Sequence, residues 1–148
     1  MSAAVVDEAT FSVSRVIRIS ASVEKVWAAI TEPDLISKWF GRAEFDEAGV
    51  GTLTWDDHGA FPVRVETSDP PRSITYRWNN DAASGEFPAA VDEANSTVFT
   101  FTLAAVADGT ELTVVETGFE NTTDARVNLE DHRGGWDFEL DELAALFA

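Results

Sequence analysis

Apolar residues along this chain fall into two rhythms, one of period two and one near 3.6, and their order along the sequence outlines an architecture. In "FSVSRVIRI", residues 11–19, Phe11, Val13, Ile17 and Ile19 share one side of a strand, with Arg15 interrupting the row. "SASVEKVWAAIT" then repeats Val23, Val26, Trp27 and Ile30 at helical spacing. Ser22 suits the N-cap, and Glu24 sits in the first turn, where the helix dipole favours an anion. "TEPDLISKWFG", residues 31–41, adds a short helix from Pro33. Leu35 and Trp39 lie four apart, Ile36 and Phe40 one step round, and Gly41 ends it. Two helical turns do not persist alone in water, so this element must lean on its surroundings.

From residue 44 the rhythm is two. "GTLTW" sets Leu53 and Trp55 against threonines, and "FPVRVET" sets Phe61, Val63 and Val65 against Pro62, Arg64 and Glu66. Pro62 cannot donate to a ladder, which suggests an edge or strand-start position. "SITYRW" aligns Ile74, Tyr76 and Trp78, "TVFTFTL" aligns Phe99, Phe101 and Leu103, and "TELTVVETGF" aligns Leu112, Val114 and Glu116. Short turns between these segments predict an antiparallel meander, apart from a long polar loop over residues 79–96. Residues 123–147 return to helical spacing. Trp136, Leu140, Leu143 and Phe147 form a stripe opposite Asp137, Glu139, Asp141 and Glu142. Burying those four apolar side chains contributes about 6–12 kcal/mol, enough to dock the helix on a sheet. Gly134 and Gly135 fall inside the segment, at about 1 kcal/mol each relative to alanine. Either the helix begins after them, or their missing side chains leave close approach or open space.

The pattern predicts an α+β chain: an antiparallel sheet of six or seven strands, two short helices and a long C-terminal helix. We read residues 1–148 as a single domain with a flexible N-terminus over 1–10. Composition narrows the partners. A formal net charge of −17, with no basic stripe to offset it, disfavours nucleic acid and anionic membranes. Cysteine is absent, which excludes disulfide and thiol chemistry, and no segment has the apolar length of a membrane span. "MSAAVVDEAT" lacks the basic start of a secretory signal, so a cytoplasmic location is expected.

Few motifs carry chemistry. In "WDDH", Trp55 to His58, neighbouring strand residues would point oppositely, so a turn is the better reading than a metal site. His132 beside Asp131 reads as a polar helix shoulder. No nucleophile elbow, phosphate loop or metal motif occurs, and neither a metal nor a cofactor is expected. Glu116 has two readings. If the strand is already ending it is solvated, which is the preferred one; turned inward, its pKa would rise.

Four stretches, "SASVEKVWAAITEPDLISKWFG", "VETSDPPRSITYRW", "TELTVVETGF" and "GGWDFELDELAALF", occur in an order that resembles bacterial single-domain relatives of the C-terminal domain of the Hsp90 ATPase activator. These belong to the START-like/Bet v 1-like (SRPBCC) superfamily. The chain departs from the family at Ala21-Ser22, where Ala-Pro is common, and at Glu116, where a histidine is common. The resemblance implies a helix-grip fold whose long helix lies across the sheet and encloses a cavity, with the Pro33 helix as a lid. Trp39, Phe40 and Trp55 would line it, with Phe61, Tyr76 and Trp78 from the middle strands. Phe99, Phe101, Glu116 and Phe119 would contribute from the later strands, and Trp136 and Leu140 from the helix. Trp and Tyr there bring polar handles for orienting a ligand.

Three functions follow. The first is a cytoplasmic binding protein for an apolar or aromatic small molecule such as a lipid or polyketide, acting as monomer or homodimer. The second is a cyclase, dehydratase or hydrolase using Glu116, with Tyr76 or His132 as partner. The third, by analogy with the family's name, is an activator of an Hsp90-type chaperone.

Overall fold

The period-two segments become strands β1 (Val5–Asp7), β2 (Ser12–Ile19), β3 (Arg42–Phe45), β4 (Val50–Trp55), β5 (Gly59–Asp69), β6 (Ser73–Trp78), β7 (Thr97–Val106) and β8 (Gly109–Thr117). The helices are α1 (Val23–Thr31), α2 (Pro33–Ile36) and α3 (Ala125–Leu146). The computed structural model describes residues 3–148; Met1 and Ser2, part of the stretch expected to be flexible, lie outside it. All strands pair antiparallel in one sheet of order β1-β2-β8-β7-β6-β5-β4-β3. This is one strand more than the six or seven expected. Val5–Asp7 accounts for the excess, pairing with Ser12–Ser14 within the supposed flexible stretch.

The meander from β3 to β8 is as the alternation predicts. Pro62 lies in an internal strand, yet locally at an edge: the β6 partner ends at Trp78, opposite Val63, and the Pro62 carbonyl accepts the Asn79 N–H. No ladder bond is lost there. Arg15 does not interrupt the inner face of β2 by turning outward. It is buried, and Phe11 stands outside the strand in a left-handed conformation. The inner face carries Val13, Ile17, Phe99, Phe101, Leu112 and Val114 into one core with α1 and α3.

Ser22 caps α1 and Asp124 caps α3, each accepting a backbone N–H three residues on. The last carbonyls of α1 find side-chain donors. Ala29 accepts the Trp39 indole N–H at 2.8 Å and Ile30 accepts the Tyr76 hydroxyl at 2.6 Å. The Trp39 bond and two buried side chains, Ile36 and Trp39 itself, answer how so short a helix as α2 persists. They also remove α2 as a lid, since Trp39 is anchored in the core.

α3 runs unbroken through Gly134 and Gly135. A Cβ built on either would meet nothing within 4 Å, so the glycines border open space. Among the described residues, no helix is long and apolar enough to cross a membrane.

Candidate functional site

The space beside the glycine pair is a cleft of about 1090 Å³. The sheet supplies Trp55, Phe61 and Trp78, with Phe40 from the end of the α2 segment. The 79–96 loop supplies Asn80, Ala82, Gly85 and Phe87, and the turn after β4 supplies Asp56, Asp57 and His58. From α3 come residues 130–136 together with Phe138 and Glu139.

The aromatic walls are held by one another. Phe40 stacks on Trp136 at 5.5 Å and meets Trp55 edge-on at 4.9 Å; Phe61 meets Phe87 at 4.4 Å. Gly41 is part of the construction. A Cβ there would stand 3.0 Å from three atoms of the Trp55 ring, so the bare backbone lets that indole lie flat. The loop is pinned despite its length. Asp81 accepts from the Thr123 backbone and hydroxyl and from Asn128, while Asn79 pairs with the Asp92 backbone in both directions.

Behind Trp78 and Trp136 lies the buried centre of the molecule. Glu116 is fully enclosed and accepts four hydrogen bonds: Thr97 hydroxyl at 2.6 Å, Trp78 indole at 2.9 Å, Trp136 indole at 2.8 Å and His132 Nδ1 at 2.8 Å. Strand register gathers these groups, setting Trp78 opposite Thr97 and Phe99 opposite Glu116. The other imidazole nitrogen of His132 lies 2.8 Å from the Asn80 carbonyl. Neither a carboxylate loaded with donors nor a carbonyl can donate, so both ring nitrogens carry hydrogen and His132 is an imidazolium. Burial opposes charge on both members. The mutual attraction and the hydrogen bonds outweigh it, holding Glu116 below the ordinary carboxylate range and His132 above the ordinary imidazole range.

Two readings are corrected here. Glu116 is not solvated, because β8 continues past it to Thr117; nor is its pKa raised, because burial comes with a cation and three further donors. His132 is not a polar shoulder but the inward continuation of the apolar stripe, four residues before Trp136. Glu116 does not line the cleft, and all its bonding capacity faces the protein.

The structure brings Phe40, Trp55, Phe61, Trp78 and Trp136 to the cleft. Trp39, Tyr76, Phe99 and Phe101 instead surround a separate void of about 10 Å³, the room of one water at most. The polar ends of Trp39 and Tyr76 are consumed by α1, and burial pushes the Tyr76 phenol up. Phe119 and Leu140 are wholly buried, Phe119 against the His132 ring at 5.0 Å.

Sequence reasoning missed Glu139, assigned to the solvent side of α3. It borders the cleft half-buried, accepts the Trp55 indole N–H at 3.1 Å, and burial pushes its pKa up to about 7. The available signal was its place four residues after Gly135, on the helix face the glycines open. Asp56 to His58 form the expected turn, and among the described residues no three His, Asp or Glu side chains gather to hold a metal.

A family model described as activator of Hsp90 ATPase homolog 1-like protein matches residues 20–148. No curated protein matches the sequence. Among solved structures, protein MLL2253 from Mesorhizobium loti is similar at 27% identity over 91% of this chain and 95% of its own, with a TM-score of 0.73. CV1439 from Chromobacterium violaceum is 26% identical over 92% and 96%, with a TM-score of 0.70. CalU16 from Micromonospora echinospora, at 21% identity over 100% and 84% and a TM-score of 0.67, shares the fold.

Proposed function

This chain belongs to the activator of Hsp90 ATPase homolog 1-like family, and from that premise we propose that it is a small-molecule-binding protein whose helix-grip cleft encloses an apolar or aromatic ligand. The observation that carries the reading is the cleft itself: aromatic rings on one side, two side-chain-free positions of α3 on the other, and no protein atom between. Its volume suits a drug-sized molecule. Helix propensity argues against adjacent glycines in mid-helix, and no neighbouring atom demands them. Room for a guest supplies the reason. Catalysis through Glu116 lacks equivalent support, since its oxygens are occupied and set back from the cleft.

The test is a fluorescence titration with N-phenyl-1-naphthylamine, a neutral apolar dye. Saturable one-to-one binding is expected, and G135L, which fills the cleft, should abolish it without lowering the melting temperature. Unsaturable binding, or a G135L protein that binds as well as the parent, overturns the proposal.

A further inference from the structure

The cleft also carries a charge pattern, and resting on the binding reading above, we infer that its ligand is an aromatic or polycyclic cation, its rings between Trp55, Trp78 and the Gly134–Gly135 backbone and its protonated nitrogen at Glu139. Three observations meet here.

The walls are the first. Trp55, Phe61, Trp78, Phe87, Phe40 and Trp136 line one space, and indole faces are the strongest aromatic partners of a cation.

The second is the balance of charge. Two cations line the cleft, and both are committed elsewhere. Arg133 is held by Glu130 at 2.6 Å and Asp137 at 2.9 Å, and His132 by Glu116. Among the described residues Asp56 pairs with Arg42, at 3.4 Å and in solvent. Asp57, Asp131 and Glu139 also line the cleft; among the described residues Asp57 and Glu139 form no ion pair, and Asp131 adds its negative charge beside His132. An anionic ligand would enter a field of its own sign, whereas a cation would be drawn in.

The third is the placement of Glu139. Oε1 takes the Trp55 indole N–H at 3.1 Å, which fixes the carboxyl against the aromatic wall. Among the described residues Oε2 has no hydrogen bond within the protein. A protonated amine on a ring lying over Trp55 would reach that oxygen and complete it.

Glu139 also gives the selection a pH signature. Burial, opposed by the Trp55 bond and reinforced by Glu142, pushes its pKa up to about 7. The other ionisable groups around the cleft are Asp56, Asp57 and His58 from the turn after β4, and Glu130, Asp131, His132 and Arg133 from α3. The 79–96 loop contributes none to the lining. A bound cation would favour ionised Glu139, so affinity for it should rise as pH increases through 7. A neutral ligand of the same shape should show no such rise.

The experiment compares proflavine, a planar cation protonated throughout pH 6–8, with neutral N-phenyl-1-naphthylamine and anionic 1-anilinonaphthalene-8-sulfonate, in parent and E139Q proteins at physiological salt. Glutamine keeps an acceptor for the Trp55 N–H, so the fold is retained. Proflavine should bind about tenfold tighter than the neutral dye at pH 8, an advantage equal to one buried cation–π or ionic contact, and the anion weakest. E139Q should erase most of that advantage and flatten its pH dependence, the ratio of proflavine to neutral-dye affinity within each protein being the readout. D57N, at the rim, should give a smaller loss of the same sign.

If the neutral dye binds saturably but proflavine is no tighter, or E139Q leaves proflavine and its pH profile unaltered, the cationic class is overturned and the binding reading stands. If neither dye saturates, the binding reading falls as well. Proflavine affinity that survives G135L would mark adsorption to the acidic surface, and it too overturns the inference.

Discussion

The two flanks of α3 are built on opposite plans. Toward β1, β2 and the sheet centre the helix is held by buried charge. Arg15 reaches the Asp137 carbonyl at 2.8 Å and Asp141 at 2.7 Å, Ala4 N–H donates to Asp137 at 2.7 Å, and Glu116 binds both His132 and Trp136. Toward β4 and β5, among the described residues, one side-chain hydrogen bond spans the gap, from Trp55 to Glu139. Buried ion pairs add little net stability over well-packed apolar groups, but they tolerate no sliding. One flank therefore fixes where the helix lies, and the other is free to stand away from the sheet. The opening is held by the protein's own bonds, so it does not depend on a guest to prop it.

The largest expected effect comes from breaking the closed flank at its centre. E116L would strand an imidazolium, two indole N–H groups and a hydroxyl in the interior, a loss of about 3–5 kcal/mol in urea unfolding. A loss below about 1 kcal/mol would mean that the carboxylate is not what positions α3. R15M acts on the same flank nearer the edge. It should cost about 1.5–3 kcal/mol, because Asp141 remains largely exposed and rehydrates when its partner is removed.

The third prediction is titration. His132, with its pKa raised from 6.5, stabilises the fold fully below that value and loses its contribution as pH rises through the folded value. Glu116, lowered from 4.5, contributes fully above that value and loses it as pH falls through the folded one. The pair's contribution therefore plateaus between about 4.5 and 6.5 and declines on either side. Glu139 has the opposite sign for a carboxyl. With its pKa raised from 4.5 to about 7, its ionisation favours the unfolded chain, so stability falls between those two values. Melting temperatures measured against pH should show E139Q losing that decline and keeping the acid limb, whereas H132Q should lose the alkaline limb. A profile for E139Q identical to the parent's would place that carboxyl in bulk water.

The smallest effect belongs to the open flank and has the opposite sign. G134A and G135A should each stabilise by about 0.5–1 kcal/mol, since an added methyl meets nothing and helix propensity improves. A destabilising G135A would mean that the helix lies closer to the sheet than described.

Most of the sheet was legible because alternation is a local signal. Ile74, Tyr76, Trp78, Phe99, Phe101, Leu112 and Val114 all point inward as their spacing predicts. What escaped was set by pairing over distance. Arg15 reads as an interruption until Asp137 and Asp141, more than 120 positions away, are seen to receive it. Glu116 reads as a strand end until His132, Trp78 and Trp136 converge on it. The stripe of α3 held a clue that hydropathy obscures: His132, Trp136 and Leu140 keep one spacing of four, but a histidine is not counted as apolar. Glu139 was hidden for the converse reason. A carboxyl opposite an apolar stripe is assigned to water, and only the cleft turns that face into an inner wall. Cavity lining could not be separated from core packing by residue type. Trp39 and Trp55 are chemically alike, and α1 carbonyls claim one while the cleft receives the other.

The glycine pair has one more implication, for descent. A methyl added at residue 134 or 135 would meet no atom within 4 Å beyond the helix's own turn, so a small substitution there makes few demands on the rest of the molecule. A single base change converts a glycine codon to alanine, serine, valine or aspartate, each of which would resize or recharge the space while the scaffold behind stays as it is. Lineages carrying this framework could thus diverge in what they accept through two codons, with no compensating change demanded elsewhere.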